Sequence, residues 1–372
     1  MRIIDFTLVM AGPFCTRLFA DMGAEVIKIE PPTGDTMRAR PPRSDGYSRY
    51  FGHLNCGKRS VALDLKTAED REIALKLISS ADVVVENFRP GVMDRLGLGY
   101  ETLKSLNPRL IFCSISGYGQ SGSAADKPAY APVIHAASGY DLTLMGLSPE
   151  ADKPAPTGMF VADVMAGVYA FGAIQAALYQ REKTGEGQQI DVALMDSILS
   201  MMVYECQEAQ LPQARKRHVY GPLKTRDGYV IAAPLSQKNF DSLLDLLGNP
   251  PWGRDERFAS APGRERNWGE IMRHIEVWTL DRSAEECERL MMEAGVPAAR
   301  YRSVSEAMSD PALIERGVLQ TVTDGGGTYN VFSAPFKMSG WEISAKPHVP
   351  ALNADLDIYL KEFGLRKGAR AP

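Results

Sequence analysis

The stretch RIIDFTLVMAGPFCTRLFADMGAEVIKIE, residues 2–30, decides the fold class. RIIDF (2–6) is a short run of apolar and aromatic residues and predicts a strand. PFCTRLFADMG (13–23) switches to helical spacing, with Pro13 suited to a first turn and Gly23 to a C-terminal stop. AEVIKIE (24–30) reads as a strand again. The three pieces make a βαβ unit of about 30 residues. The turn between them, AGPFCT (11–16), is Gly-Pro and not G-x-G-x-x-G, so the dinucleotide fingerprint is absent. A helix N-terminus there can favour a phosphate or thioester oxygen, or the turn can be a plain βα connection.

Outward from this unit the pattern repeats. SVALDL (60–65), ADVVVENF (81–88) and RLIFCSISGYG (109–119) read as strands, separated by helical runs at 67–80 and 100–106. Such alternation predicts an α/β domain whose parallel sheet is covered by helices. GQQIDVALMDSILSMMVYECQ (187–207) adds one more strand and an apolar helix. The composition then turns polar and basic in EAQLPQARKRHVYGP (208–222), which suggests a linker over 208–226. DGYVIAAP (227–234) restarts with a turn and a strand, followed by a helix from Asn239 and two amphipathic helices, WGEIMRHIEVWTL and SAEECERLMMEAG. From GTYNVFSAPFKMSGW (327–341) onward the chain is β-rich and punctuated by Gly and Pro. DGGGTYN (324–330) reads as a hairpin turn, because glycines tolerate positive φ.

Bulk properties exclude several function classes. The chain has 372 residues and a net charge of −4, which gives no electrostatic case for nucleic acid or an anionic membrane. Its five cysteines are scattered without a CxxC pair, so neither a zinc ribbon nor a disulfide framework is suggested, and a reducing compartment, the cytoplasm, is expected. The five histidines include no pair at metal-ligand spacing, so no metal is expected. MRIIDFTLVMAGPF does not read as a signal peptide, since an acid interrupts the apolar stretch. The apolar run Val164–Tyr179 is shorter than the ~20 residues a bilayer needs and reads as a buried helix.

Within TGMFVADVMAGVYAFGAIQAALYQREKTGEG (157–187) one carboxylate, Asp163, stands in an apolar, small-residue segment. An aspartate at a helix start can be an N-cap. It can equally be a nucleophile toward an activated acyl group, held ionised by the helix dipole, with Ala162, Ala166 and Gly167 leaving room for substrate. Alanine and glycine nearly all round that helix predict close packing on several sides. Lys58, Arg59 and Lys66 flank one strand, and Asn87, Phe88, Arg89 and Arg95 follow another. Basic and aromatic groups after parallel strands suit a nucleotide bearing phosphates, although each alone is equally a solvated face. His135 is a lone histidine in an apolar stretch, either a structural hydrogen-bonding group or a catalytic one. Loops around 30–50 and 117–135 are expected to line a substrate pocket.

Taken together, DFTLVMAGPFCTRLFADMGAEVIKIEPPTGD (5–35), NCGKRSVALDLKT (55–67), ADVVVENFRPGVMDRLGLGYETLKSLNPRLIFCSISGYGQSG (81–122), ADVMAGVYAFGAIQAALYQREKTGEGQQIDVALMDS (162–197) and APFKMSG (334–340) resemble the class III coenzyme A transferases, the CaiB–BaiF group. The resemblance covers nearly the whole chain. It implies a Rossmann-like large domain of 1–207 completed by 330–372, a smaller α/β domain at 227–329 between them, and an interlocked homodimer whose chains cross at 208–222. It also implies acyl-CoA and carboxylic acid substrates with no permanently bound cofactor. By position Asp163 becomes the nucleophile, forming an aspartyl anhydride and then an aspartyl-CoA thioester. Val9, Met10, Ala11, Leu63, Lys66, Asn87, Phe88, Arg95 and Leu96 take the CoA-binding places, and Tyr130 and His135 the substrate pocket.

Departures bear on the substrate. Leu8, Met10 and Ala131 stand where the formyl-CoA transferase type carries histidine, glutamine and glutamate, and no glycine tetrad follows in 208–227. Formate and oxalate therefore fit poorly, and a larger acid is easier to accommodate, with succinyl-CoA the first donor to try. The related 2-methylacyl-CoA racemases use the aspartate with a histidine to move an α-proton. Here Tyr130 takes that histidine's place and His135 lies five residues on, which favours transfer. A nicotinamide-dependent oxidoreductase and a non-catalytic CoA-binding protein are the other readings, the first opposed by the missing glycine fingerprint.

Overall fold

Strand β1 (Arg2–Asp5) sends Ile3 to one face of a sheet and Ile4 to the other, and both are fully buried. A strand apolar on both sides belongs inside a parallel sheet with two covered faces. In the computed structural model, which describes residues 1–148, 151–212 and 219–366, five further strands join it. They are β2 (Glu25–Glu30), β3 (Arg59–Ala62), β4 (Val83–Glu86), β5 (Ile111–Ser116) and β6 (Gln189–Ala193). The order is β3-β2-β1-β4-β5-β6, and every neighbouring pair is parallel.

The helices follow from the same alternation. α1 (Ala11–Asp21) starts with Gly12 and Pro13 in its first turn, where Pro13 loses no hydrogen bond. A side chain at position 12 would overlap Thr7. α2 (Arg49–Asn55) is capped by Ser48, and α3 (Ala68–Ser79) by Thr67. α4 (Tyr100–Leu106), α5 (Ala131–Ala137), α6 (Val161–Thr184) and α7 (Leu194–Met201) complete the set used below. One face of the sheet gathers Ile3, Val26, Val83 and Ile111 against Phe19 of α1 and Ala166, Ala170 and Ile174 of α6. The other gathers Ile4, Ile27, Val84 and Phe112 against Leu77 of α3, Leu103 of α4 and Tyr359 of the C-terminal helix Leu356–Glu362.

Residues 1–209 and 316–372 form one compact unit, and residues 210–315 a second. The second has its own core around Phe240, Ile271, Ile275 and Met291, and an antiparallel sheet with Tyr229–Ala232 between Leu223–Lys224 and Ala298–Arg300. The hairpin of Leu319–Asp324 and Gly327–Phe332 falls in the first unit, where Val322 and Val331 pack with Cys56. A boundary at 329 cuts its second strand and leaves Leu319–Asp324 in the smaller domain. A hairpin signal reports a local turn, not the core that receives it. Part of the expected linker, 213–218, lies outside the described residues.

One further expectation is corrected. α6 buries a single stripe, Ala162, Ala166, Gly167, Ala170, Ile174, Ala177 and Arg181, rather than several sides. Val168 and Tyr169 are each 43% exposed and Tyr179 is 65% exposed. Small residues on every face carry no periodic signal, so their pattern alone does not say which face is covered. The helix runs to 24 residues, longer than the apolar run suggested and enough by length and composition to cross a bilayer. Here its buried stripe packs on α1, β5 and β6. Position 167 must be glycine, because a Cβ there would sit 2.7 Å from the Ala11 carbonyl oxygen.

Candidate active site

The strand order reverses direction between β1 and β4, and the crevice outside the C-terminal ends of such strands is where open α/β sheets take ligands. The loops leaving both strands are tied together by Asn87. Its Oδ1 accepts from the Leu8 N–H at 2.9 Å, and its Nδ2 donates to the Leu8 carbonyl at 2.8 Å. The next residue, Val9, is held at φ +69°. A β-branched residue in the left-handed region is strained by ~1–3 kcal/mol, and such strain persists where surrounding contacts enforce it, often at functional sites.

Beneath the crevice lies a fully buried polar network. Lys58 Nζ donates to Asp5 Oδ2 at 3.0 Å, Thr16 Oγ1 at 2.8 Å, Asn55 Oδ1 at 2.9 Å and the Pro13 carbonyl at 3.1 Å. Thr7 and Thr16 donate to Asp5 as well. Burial pushes the Asp5 carboxyl upward, but Lys58, Lys28 and these hydroxyls outweigh it and hold the pKa down at about 2. These contacts pin the end of β1 to the start of α1, and so fix the crevice floor.

Asp163 lies in the first turn of α6, not at its N-cap, which is Phe160. The helix dipole therefore favours its charge, but no side chain or main-chain group among the described residues hydrogen-bonds or ion-pairs it. Burial is the sole cause that raises its carboxyl to about 6. It faces a cavity of about 640 Å³ together with Val9, Arg40, Tyr50, Tyr130 and Phe160. A partly desolvated, unpaired carboxylate on the wall of an open cavity keeps its lone pairs free for an incoming electrophile.

The other expected site residues divide. Met10 precedes α1 and is half-buried, and Phe88 and Leu96 are likewise half-buried. Lys66 and Arg95 are exposed, beyond the ends of β3 and β4. Leu63 and Ala11 are 2% and 3% exposed, packed in the two cores, so neither side chain can meet a ligand. The hydrophobic residue next to a loop is drawn inward by the sheet. Tyr130 is 71% exposed and lines the cavity of Asp163. His135 does not: it is fully buried, and its Nε2 accepts the Ala162 N–H at 3.0 Å. That bond leaves Nδ1 as the protonated nitrogen. Burial pushes the imidazole pKa down, with Asp141 opposing, which fits a neutral ring. His135 thus satisfies one of the orphan N–H groups at the start of α6, one residue before Asp163. Arg40 and Tyr50 were not singled out by sequence. Their signal was position alone, on the connection leaving β2.

Sequence and structure comparisons agree with this geometry. The model of the CoA-transferase family III matches residues 1–356. The chain is 35% identical over 390 residues to the succinyl-CoA:mesaconate CoA-transferase of Haloarcula hispanica, covering 99% of this chain and 96% of that one. It is 35% identical over 374 residues to the acetyl-CoA:oxalate CoA-transferase of Acetobacter aceti, covering 98% and 95%. A CAIB/BAIF family protein from Brucella suis superposes with a TM-score of 0.84 at 32% identity, covering 97% of this chain and 98% of that one. A crevice at a strand-order reversal is where an open α/β fold takes its ligand, and the desolvated aspartate stands in the lining beside it. The chain belongs to CoA-transferase family III, the CaiB–BaiF group, and is an enzyme of CoA transfer.

Proposed function

We propose that the enzyme moves coenzyme A from an acyl-CoA, with succinyl-CoA the first candidate, to an organic acid, through covalent intermediates on Asp163. The observation that carries this is the unpaired Asp163 carboxylate on the cavity wall. One carboxylate oxygen attacks the thioester carbonyl, the C–S bond breaks, and an aspartyl anhydride and CoA thiolate result. The thiolate then attacks the aspartyl carbonyl carbon, giving an aspartyl-CoA thioester and releasing the donor's acid as carboxylate. The acceptor carboxylate attacks that thioester and repeats the exchange, and Asp163 is regenerated. Each step replaces one activated acyl bond by another, so no external energy source is needed.

The crevice between β1 and β4 is the seat for CoA in this reading, with Met10, Lys66, Asn87, Phe88, Arg95 and Leu96 along its rim. The strand order supports a Rossmann-like description of the large unit. The exposed face of α6 continues into a groove lined by Val168, Tyr169, Ile190 and Val192. An apolar face of that kind supports an interlocked homodimer in which a second chain covers it. All five cysteines are free, which supports a cytoplasmic location. Racemisation is disfavoured, since the buried His135 is engaged with Ala162 and does not share the cavity with Asp163.

The test is Asp163→Ala. Transfer to any acid is expected to fall at least 10⁴-fold with the far-UV spectrum unchanged, the usual scale for losing a covalent nucleophile. Wild-type enzyme incubated with acyl-CoA and quenched with hydroxylamine should carry a hydroxamate at Asp163 by mass spectrometry. Retained transfer in the alanine variant rejects the mechanism.

A further inference from the structure

Two arginines leave the same short turn, Thr36–Ala39, with different fates. Arg38 is committed: it forks onto Glu30, with Nη2 at 2.6 Å and Nε at 2.8 Å, and lies 3.9 Å over the Phe51 ring. Arg40, just past the turn, has no side-chain hydrogen bond or ion pair among the described residues, and it lines the cavity that holds Asp163. Pro41 and Pro42 follow it and restrict the main chain from which the side chain departs.

Arg40 and Asp163 both line this one cavity, and they do not pair with each other. Asp163 is shifted by burial alone and feels no cation. Tyr50, half-buried in the same lining, feels both: after burial, Asp163 and then Asp35 push its phenol up, and Arg40 pulls it down. A ligand that bridges the two charges meets a nucleophile at one end and a guanidinium fork at the other. The fork matches a carboxylate in geometry and charge.

We propose that Arg40 is the seat for the second carboxylate of a dicarboxylic acid whose reacting carboxylate meets Asp163. The assignment rests on the transfer reading above and adds the substrate class to it. A monocarboxylic acid leaves the guanidinium facing an apolar tail, whereas a dicarboxylic acid pairs it. Tyr50 lines the same cavity and offers its hydroxyl to the acid.

The experiment compares succinate and glutarate with butyrate and pentanoate as acceptors from one acyl-CoA donor, in wild type, Arg40→Met and Arg40→Lys. The dicarboxylates should lead by at least 30-fold in kcat/KM in wild type, the scale of one charge-assisted pair. Arg40→Met should erase that lead while moving the monocarboxylate rates by less than about threefold, and Arg40→Lys should restore part of it. An unchanged ratio, or an equal fall for both acid classes, overturns the assignment. Binding separates this from the transfer reading. Glutarate and pentanoate are titrated calorimetrically into Asp163→Asn and into Asp163→Asn with Arg40→Met. If no acid is turned over by any variant, the transfer reading has failed. Arg40 then stands if the second substitution selectively weakens glutarate, and falls if glutarate binding is absent or unaltered.

Discussion

Asp5 and Asp163 are both aspartates withdrawn from water near the C-terminal edge of one sheet, and they are treated in opposite ways. Asp5 is surrounded by Lys58, Lys28, Thr7 and Thr16 and is held at about 2. Asp163 is given a helix start and nothing else, and rises to about 6. The first charge is satisfied and holds the scaffold. The second is left wanting a partner, which is the condition a nucleophile needs. Their effects on stability have opposite signs. Asp5, with a depressed pKa, contributes stability that is present above about pH 4 and is lost as pH falls toward 2. Asp163, with a raised pKa, favours the folded state while protonated, and that contribution is lost as pH rises from about 4 through 6.

The largest break in this comparison is Lys58→Met. It leaves Asp5 buried without its main counter-charge and should cost about 3–5 kcal/mol in urea unfolding. A loss below about 1 kcal/mol would mean that the Asp5 network does not hold the fold. Asp163→Asn should do the reverse, gaining about 1–3 kcal/mol at pH 8 and nothing at pH 4, because it removes a charge the fold has desolvated. A destabilised variant at pH 8 would show a hidden partner for Asp163. Sharper still is the support given to Asp163 by its neighbour. His135→Leu should lower stability by about 1–2 kcal/mol and reduce kcat more than KM, since it orphans the Ala162 N–H. His135→Gln, which can accept that bond without titrating, should recover most of both. The smallest expected effect is at the strained turn: Val9→Gly should stabilise by about 0.5–1 kcal/mol in thermal unfolding by relieving φ +69°.

How far the sequence revealed this differs between scaffold and site. The central strands β1, β4 and β5 were legible because they are apolar on both faces, and Pro13 and Gly23 bracketed α1 closely. Asp163 was legible as a lone acid in an apolar segment, although its place in the first turn and not at the cap needed coordinates. His135 was placed in the pocket because residue type does not reveal which way a ring points, and its ring turns inward to a main-chain N–H. Leu63 and Ala11 fell in the same trap, lying beside a ligand loop in sequence but facing a core. Arg40 was hidden among seven lysines and arginines from 28 to 59; Lys28, Arg38, Lys58 and Arg59 have carboxylate partners, and its place in the cavity lining sets Arg40 apart from the rest. The coverage of α6 was unreadable because alanine and glycine mark neither face.

The amide of Asn87 takes both main-chain groups of Leu8, as a paired strand would. The sheet is in effect extended one rung past its last residue, by a side chain. The gap between the two central strands therefore keeps a set width whatever lies above it. In the transfer proposed for this enzyme, selectivity among acids can then be rewritten by exchanging a few rim side chains, while the loop that carries Val9 is inherited unchanged.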